Sequence, residues 1–233
     1  MAGFFRFNDK EGRGVEKDEP RAPGYIRFFK VFFGWFPKMV AINFIYIFSC
    51  LPIITIGPAT AGITYIMRNY SQGKHVDLMN DFMKKSKEYF KKGFLIFLID
   101  LIVGILLFLS INLWSDSGLG FTPTVSTVAL IVLFFIAYLV ICANFYIFPM
   151  LVSFDLPLKK LIRNSLILAM YKIGRNIAML LVNLGIFLLC YIFWPIPLPF
   201  MLTIFVSICF LFNNFMVYPV LVKHVAKPSA EDE

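Results

Sequence analysis

The sequence predicts an all-α membrane protein with six membrane-inserted helices in three hairpins. The chain is 59% hydrophobic and only 15% charged, and its mean hydropathy is +0.78, which is more apolar surface than a soluble domain of 233 residues can bury. Four apolar runs approach or exceed the ~20 residues that a helix needs to cross a bilayer. The connections between the apolar runs alternate between segments without Lys or Arg and basic segments, which is typical of a multi-pass protein.

The four long apolar runs predict the second and third hairpins. The connections at 115–124 and 195–199 contain no Lys or Arg, whereas the other flanking segments are basic. By the positive-inside rule these two connections face outward and the basic segments face the cytoplasm. The hairpins therefore cover about 94–152 and 176–222. The runs themselves are Phe94–Trp114, Val125–Val152, Asn176–Trp194 and Phe200–Val222.

The stretch CLPIITIGPATAG (50–62) predicts the turn of a first hairpin, at about 28–71. An outer turn at about 52–57 keeps all 22 Lys and Arg residues of the chain on the cytoplasmic side, which a single crossing would not do. Each leg has 13 residues, or about 20 Å of helix, so a tight outer turn and a re-entrant turn both stay open. The candidate turn residues are Thr55, Gly57, Pro58 and Thr60.

Specific roles follow for these turn residues. Pro58 suits the first position of the returning helix, and Gly57 suits an irregular backbone before it. Thr55 or Thr60 is expected to cover the exposed N–H groups of that helix.

Two amphipathic segments connect the hairpins. DLMNDFMKKSKEYFKKG (77–93) begins with Asp77, a residue type that caps helices, and PLKKLIRNSLILAMYKIGRN (157–176) spaces apolar residues among basic ones. We expect helices at about 77–92 and 157–174 that lie on the inner membrane surface with their basic faces at the lipid headgroups. Solvated linkers are the alternative interpretation.

The domain organisation follows from these segments. Residues 25–226 form a single membrane domain, preceded by a polar tail at 1–24 and followed by a short tail at 227–233. Both tails are expected to be cytoplasmic. The first 38 residues lack an uninterrupted apolar core, so no cleaved signal peptide is predicted.

An internal repeat relates the second and third hairpins. NFYIFPMLV (144–152) and NFMVYPVLV (214–222) share the pattern N-F-x-x-aromatic-P-x-L-V, and each ends an inward-running helix. One helix earlier, Asp100 and Asn183 occupy matching apolar contexts. We therefore expect two duplicated units of the same orientation. The Asn residues of the repeat could supply bonds to carbonyls freed by the prolines, or bonds across helices.

Polar residues inside the apolar runs are the candidate site. Asp100 is the only acid well inside a span, and a lone carboxylate there is costly unless it is paired, protonated or exposed to water. The expected layer has two interpretations, a cytoplasm-facing cavity for a polar ligand or a hydrogen-bonded belt that joins the hairpins. Its members are Asp100, Asn43, Asn144, Asn183, Asn213 and Asn214.

Catalytic, metal and nucleic-acid chemistry are not predicted. The sequence has no Ser-His-Asp or Cys-His spacing, no H-E-x-x-H, no P-loop and no G-x-G-x-x-G, so no enzyme and no cofactor is expected. The net charge of +8 is explained by a cationic surface against anionic lipid rather than by nucleic acid. The cysteines lie inside apolar runs, far from His75 and His224, and predict packing rather than metal binding. They are Cys50, Cys142, Cys190 and Cys209.

Several segments resemble the YesL-like family of bacterial integral membrane proteins, a domain of unknown function. The resemblance rests on CLPIITIGPATAGITYIMRNY (50–70) followed by DLMNDFMKKSKEYFKKG (77–93), with MAGFFRF (1–7), FYIFPML and LKKLIRNSLILA in support. It implies a multi-pass protein of the bacterial cell membrane whose genes accompany carbohydrate uptake systems of the ATP-binding-cassette type and their sensors. It assigns no catalytic residue.

The function expected from this resemblance is a non-enzymatic accessory of carbohydrate uptake. Its expected partners are the lipid bilayer and the membrane subunits of a sugar transporter or a sensor. Two alternatives stay open. One is a small transporter or channel that uses Asp100, and the other is a lipid-binding scaffold built on the basic amphipathic segments.

Overall fold

A computed structural model describes residues 24–115, 122–154, 156–192 and 205–225, and the regular structure in these ranges is helical. The predicted all-α class is confirmed for these ranges. Both tails and most of the two predicted outer connections lie outside them. The helices are α1 (Gly24–Gly34), α2 (Phe36–Ser49), α3 (Ile56–Ser71), α4 (Leu78–Glu88), α5 (Phe90–Ser115), α6 (Pro123–Ser153), α7 (Leu158–Tyr171), α8 (Ile173–Ile192) and α9 (Val206–His224), with a 3₁₀ turn at Ile53–Thr55.

Three of the described helices, α5, α6 and α9, are long and apolar enough to cross a membrane. The count rises to five if two bent pairs each form one span: α1 with α2, bent by 73°, and α7 with α8, bent by 93°. The described ranges therefore indicate a membrane protein with three to five candidate spans, which is fewer than the six membrane-inserted helices that the sequence predicts.

The centre of the structure is α3, the helix that contains most of the CLPIITIGPATAG stretch. Twelve of its 16 residues are buried, and it contacts α2, α4, α5, α6 and α9. Ile63, Ile66 and Met67 are fully buried in one apolar cluster, and Ala61 belongs to a second cluster with Tyr146. The apolar residues of α3 thus pack against protein, although their hydropathy alone suits lipid equally well.

Small residues let neighbouring helices approach α3 closely. A Cβ added to Gly57 would overlap the carbonyl oxygen of Gly93 at the start of α5, and one added to Gly93 would lie 3.0 Å from the carbonyl carbon of Gly57. One turn further along α3, a Cβ on Gly62 would overlap the Ser86 hydroxyl and come within 3.0 Å of the Phe82 ring on α4. Glycine at these positions therefore sets the spacing of α3 from both α4 and α5.

The path of α3 is fixed by contacts at both of its ends. Helices α5 and α6 are antiparallel, because the Lys92 amine lies 3.2 Å from the Leu156 carbonyl and Asp100 pairs with Asn144 further along. Near its N-terminus α3 contacts Gly93, and near its C-terminus Arg68 donates to the Val152 carbonyl. Both contacts lie at the same end of the α5–α6 pair. Helix α3 therefore runs across this end instead of alongside the two long helices.

The turn at about 52–57 lies beside the lysine-rich segment, which contradicts the prediction that the two lie on opposite sides of the membrane. Gly57 meets Gly93, the residue after Lys92, and Lys87 of α4 lines the same groove as Thr55. Two segments in contact cannot lie on opposite sides of about 30 Å of hydrocarbon. The charge pattern could not reveal this, because the turn itself carries no charge and its depth depends on helix packing.

The details of the turn also differ from the predicted roles. Helix α3 begins at Ile56, so Pro58 is its third residue, where the missing N–H still needs no intrahelical partner. The Thr55 hydroxyl donates to the carbonyls of Ser49 and Pro52, and the Thr60 hydroxyl donates to the Ile56 carbonyl at 2.7 Å. No side-chain cap bond to the N–H groups of α3 is formed, and both hydroxyl protons go to backbone carbonyls.

The two amphipathic segments form helices close to their predicted positions. The Asp77 cap of α4 is confirmed, since its carboxylate accepts from the Asn80 N–H at 3.4 Å while its own N–H donates to Asp81 at 3.0 Å. Buried Phe82 fixes α4 against α3. On α4, the Glu88 carboxylate accepts a 2.7 Å hydrogen bond from the Lys85 amine and raises the pKa of that amine. Helix α7 packs mainly along α6 before the bend into α8.

Replacing Gly57 by Ala should destabilise the fold. The added methyl group overlaps the backbone of Gly93, which cannot rotate away, so we expect a loss of about 1–3 kcal/mol in the free energy of unfolding. Unfolding in mixed detergent, followed by circular dichroism, measures this loss. Gly104→Ala is the matched control, because a Cβ on Gly104 meets nothing within 4 Å. Equal stabilities of the two variants would contradict the close contact.

Cysteine labelling tests the side on which the turn lies. In a cysteine-free background, Ile53→Cys and Lys87→Cys should react with an impermeant maleimide from the same side of sealed vesicles. Ser115→Cys should react from the other side, because α5 has 26 residues and a length of about 39 Å. If Ile53→Cys reacts from the same side as Ser115→Cys, and from the side opposite to Lys87→Cys, the observed packing of the turn is wrong.

Candidate functional site

A carboxylate and a carboxamide meet between α5 and α6. The Asn144 side-chain amide donates to Asp100 at 3.1 Å and to the Val140 carbonyl of its own helix at 3.2 Å. Of the two roles predicted for Asn144, the bond across helices is the one observed. The carbonyl that Pro149 frees is that of Phe145, four residues before it, and Asn144 does not bond it. Asn144 therefore joins two helices instead of satisfying the carbonyl freed by Pro149.

The Asp100–Asn144 pair lines a small crevice. Its volume is about 140 Å³, and α7 closes one side through Ile162, Ser165 and Leu166. The Ser165 hydroxyl donates to the Ile162 carbonyl at 2.8 Å, so its proton is committed within α7. The other walls are aliphatic side chains of α5 and α6. Asp100 is half-buried, and its carboxylate is the charged group of this otherwise largely apolar crevice.

A second polar pair joins α8 and α9. The Asn183 amide donates to the Asn213 carbonyl oxygen at 2.9 Å and to the Met179 carbonyl at 2.7 Å. In both helix pairs, the polar residue of the first helix thus bonds an Asn of the second helix. The repeat positions are not identical, because Asn214, rather than Asn213, aligns with Asn144. The first pair is acidic and the second is a neutral amide pair.

The remaining predicted residues of the polar layer lie elsewhere. Asn43 on α2 accepts from the backbone N–H of Ser207 at 3.2 Å, near the start of α9. Asn214 donates to the Phe210 carbonyl at 2.8 Å, and its side-chain oxygen is buried without a hydrogen-bond partner. Ser207 and Asn213 are six residues apart, or about 9 Å along a helix. The six predicted residues therefore form separate contacts rather than one continuous layer.

The candidate turn residues line a different groove. Thr55 and Pro58 face Met83, Lys87 and Phe90 across a space of about 340 Å³ between the turn and α4. Gly57 is buried against Gly93, and Thr60 lies 3.2 Å from the Tyr46 hydroxyl on α2. These residues do not meet Asp100 or the Asn pairs. The turn and the polar residues are thus two distinct features of the structure.

Sequence reasoning missed a set of basic residues that bind helix-end carbonyls. Arg68 donates to the Val152 carbonyl and, at 3.1 Å, to the Ser153 hydroxyl at the end of α6. Arg27 donates to the Ser71 carbonyl at 2.6 Å, in the last turn of α3. Carbonyls at helix ends lack intrahelical partners, so an arginine satisfies them and complements the negative end of the helix dipole. Both arginines stand at the boundaries of apolar runs in the sequence. This position was used only to predict the orientation of the helices, although it also indicates a contact with a helix end.

Asn176 is a further polar contact that the sequence did not single out. It is buried, it accepts from the Tyr146 hydroxyl, and it donates to the Ala169 carbonyl at 2.6 Å. It therefore ties α6 to the bend between α7 and α8. Its place beside Arg175, at the basic boundary of a span, gave no indication that it is buried.

Within the described ranges, no group of three His, Cys, Asp or Glu residues is close enough to hold a metal ion. Cys142 is buried next to Ala143 and Ala169, as an apolar packing residue would be. The side chain of Cys190 lies outside the description.

Comparison with known proteins finds one family whose model matches part of this chain. Residues 39–111 match the family described as a protein of unknown function, DUF624. The DUF624 region begins within α2 and ends within α5, so it contains the whole of α3, the Gly57–Gly93 contact and Asp100. The sequence-based recognition of a family of unknown function is confirmed over this region.

One curated relative extends the similarity beyond the DUF624 region. The uncharacterized protein YteU of Bacillus subtilis (strain 168) is 26% identical over 197 residues, which cover 82% of this chain and 84% of that protein. No solved structure gave a significant match to the chain.

A double-mutant cycle tests the bond between Asn183 and Asn213. The Asn→Leu changes at these positions should show a coupling energy of about 0.5–1.5 kcal/mol in detergent unfolding, because each change alone already removes the interhelical bond. The matched control pairs Asn183→Leu with Asn214→Leu, since Asn214 bonds its own helix. Coupling near zero for the first pair, or equal coupling for both pairs, would contradict the observed pairing.

Proposed function

We propose that this protein is a non-enzymatic, multi-pass component of the bacterial cell membrane that assists carbohydrate uptake by contacting the membrane subunits of a sugar transporter or its sensor. The carbohydrate context is implied by the resemblance to the YesL-like family. The structure supports an accessory role through one feature, the exposed surface of α5 and α6 beyond the Asp100–Asn144 pair.

The proposed topology follows the basic residues. The α5–α6 and α8–α9 hairpins cross the bilayer, and both termini lie in the cytoplasm with the lysine-rich α4. Helix α3 and the turn before it stay on the cytoplasmic side as a re-entrant element. This topology keeps the positive charges inside, and it agrees with the contacts of Gly57 and Lys87.

The feature that carries the proposal is the α5–α6 arm, defined as residues 101–115 of α5 and 123–141 of α6. None of its residues is buried within the described part of the chain, whereas the C-terminal part of α6, from Cys142 to Val152, is mostly buried. In the bilayer the arm offers apolar faces on two helices. A neighbouring membrane protein can pack on these faces without displacing any part of the core.

Co-purification tests the accessory role. The tagged full chain, extracted in mild detergent from its native membranes and analysed by quantitative mass spectrometry, should enrich the membrane subunits of a sugar transporter or a sensor. Leu106→Trp on the arm should reduce this enrichment at least fivefold by adding bulk at the contact. Leu181→Trp on α8 should not, although the exposure of Leu106 (58%) and Leu181 (59%) is the same.

Two outcomes would contradict the proposal. One is the absence of any transporter or sensor subunit above the level of an unrelated tagged membrane protein. The other is sugar flux in proteoliposomes that contain this chain alone, which would support the transporter alternative instead.

A further inference from the structure

We propose that the Asp100 crevice is the docking point for a partner's transmembrane helix that carries one lysine or arginine near its middle. This inference names the partner chemistry of the accessory role and rests on that proposed function. It starts from the depth of the carboxylate. Asp100 lies eight residues after Lys92 and 14 before Trp114, or about 12 Å and about 21 Å along the helix, well inside the span.

The described surroundings of Asp100 supply no positive charge. Among the described residues its side-chain hydrogen-bond partner is the neutral amide of Asn144, which provides one N–H to a group with two acceptor oxygens. The nearby bases point elsewhere: the Lys92 amine lies at the Leu156 carbonyl and the Arg68 guanidinium at the Val152 carbonyl. A carboxylate at this depth therefore needs a proton, contact with water, or a cation from another molecule.

The crevice has room to receive a side chain from a neighbouring helix. It is open, holds about 140 Å³, and places aliphatic side chains of Ile99, Val103 and Val140 around the carboxylate. These side chains would surround the methylene stem of a lysine or arginine, while its charged end meets Asp100. A lipid tail would contact the same aliphatic side chains but would leave the carboxylate without a charged partner. The charge therefore favours a basic side chain over an acyl chain.

The helix surface beside the crevice also permits close approach. Gly104 lies four residues after Asp100, and so on the same face of α5, and a Cβ built on it meets nothing within 4 Å. A small residue on an exposed face lets a second helix come close in a membrane. The partner helix would then run along the α5–α6 arm, cross at Gly104, and present its basic residue to Asp100.

Fluorescence energy transfer in proteoliposomes tests the inference with a defined probe. The full chain carries a donor dye, and the probe is an acceptor-labelled, 24-residue Leu/Ala transmembrane peptide with one central lysine. The neutral probe has a central glutamine instead. We expect half-maximal transfer for the lysine peptide at a concentration at least tenfold below that for the neutral peptide.

Variants identify the residues responsible. Asp100→Asn should abolish the tenfold preference, and Asp100→Glu should retain most of it. Gly104→Leu should weaken binding of the lysine peptide severalfold by blocking close approach. Gly185→Leu on α8 is the matched control and should have no effect, because a Cβ on Gly185 also meets nothing within 4 Å. Circular dichroism of each variant verifies that it is folded.

Two results would overturn the inference. Equal binding of the two peptides would mean that the crevice does not select a cation. A preference that persists in Asp100→Asn would locate the selective group elsewhere. Neither result depends on a native transporter. A negative peptide experiment would therefore not contradict the co-purification result, and a negative co-purification would not contradict the peptide result.

Discussion

The contact between the backbones of Gly57 and Gly93 is the constraint on which the arrangement of the other helices depends. It brings the start of α3 against the start of α5, at a separation that no side chain permits. Because Arg68 at the other end of α3 reaches the end of α6, the helix is held across the base of the α5–α6 pair. Helices α2, α4 and α9 then pack on the faces of α3 that remain.

Helix ends in this structure are stabilised by basic side chains from other segments. Arg27 bonds the last turn of α3, Arg68 bonds the end of α6, and Lys92 bonds the chain just beyond it. Each bond satisfies a carbonyl for which water is the usual partner. The same residues therefore hold the ends of the helices together.

The two polar pairs show how similar sequence contexts lead to different sites. Asn183 and Asn213 satisfy each other and the Met179 carbonyl, as a structural link between α8 and α9 requires. Asp100 and Asn144 also join two helices through one side-chain hydrogen bond, donated here by the second helix, but a carboxyl group replaces one amide beside an open crevice. Sequence reasoning identified both Asp100 and Asn183 from their polarity within apolar runs. It could not pair Asn43 with Ser207, because a hydroxyl in an apolar helix carries no distinctive signal.

The sequence by itself determined the helical class, the long apolar helices, the Asp77 cap of α4 and the isolation of Asp100, because these depend on composition, spacing and local capping. Only the tertiary structure decided the position of CLPIITIGPATAG. Its apolar and small residues are equally compatible with a helix that crosses the membrane and with a helix buried inside the protein. Close approach at Gly57 and Gly62 selects the buried helix, and such contacts between distant segments are not encoded in the local pattern of either one.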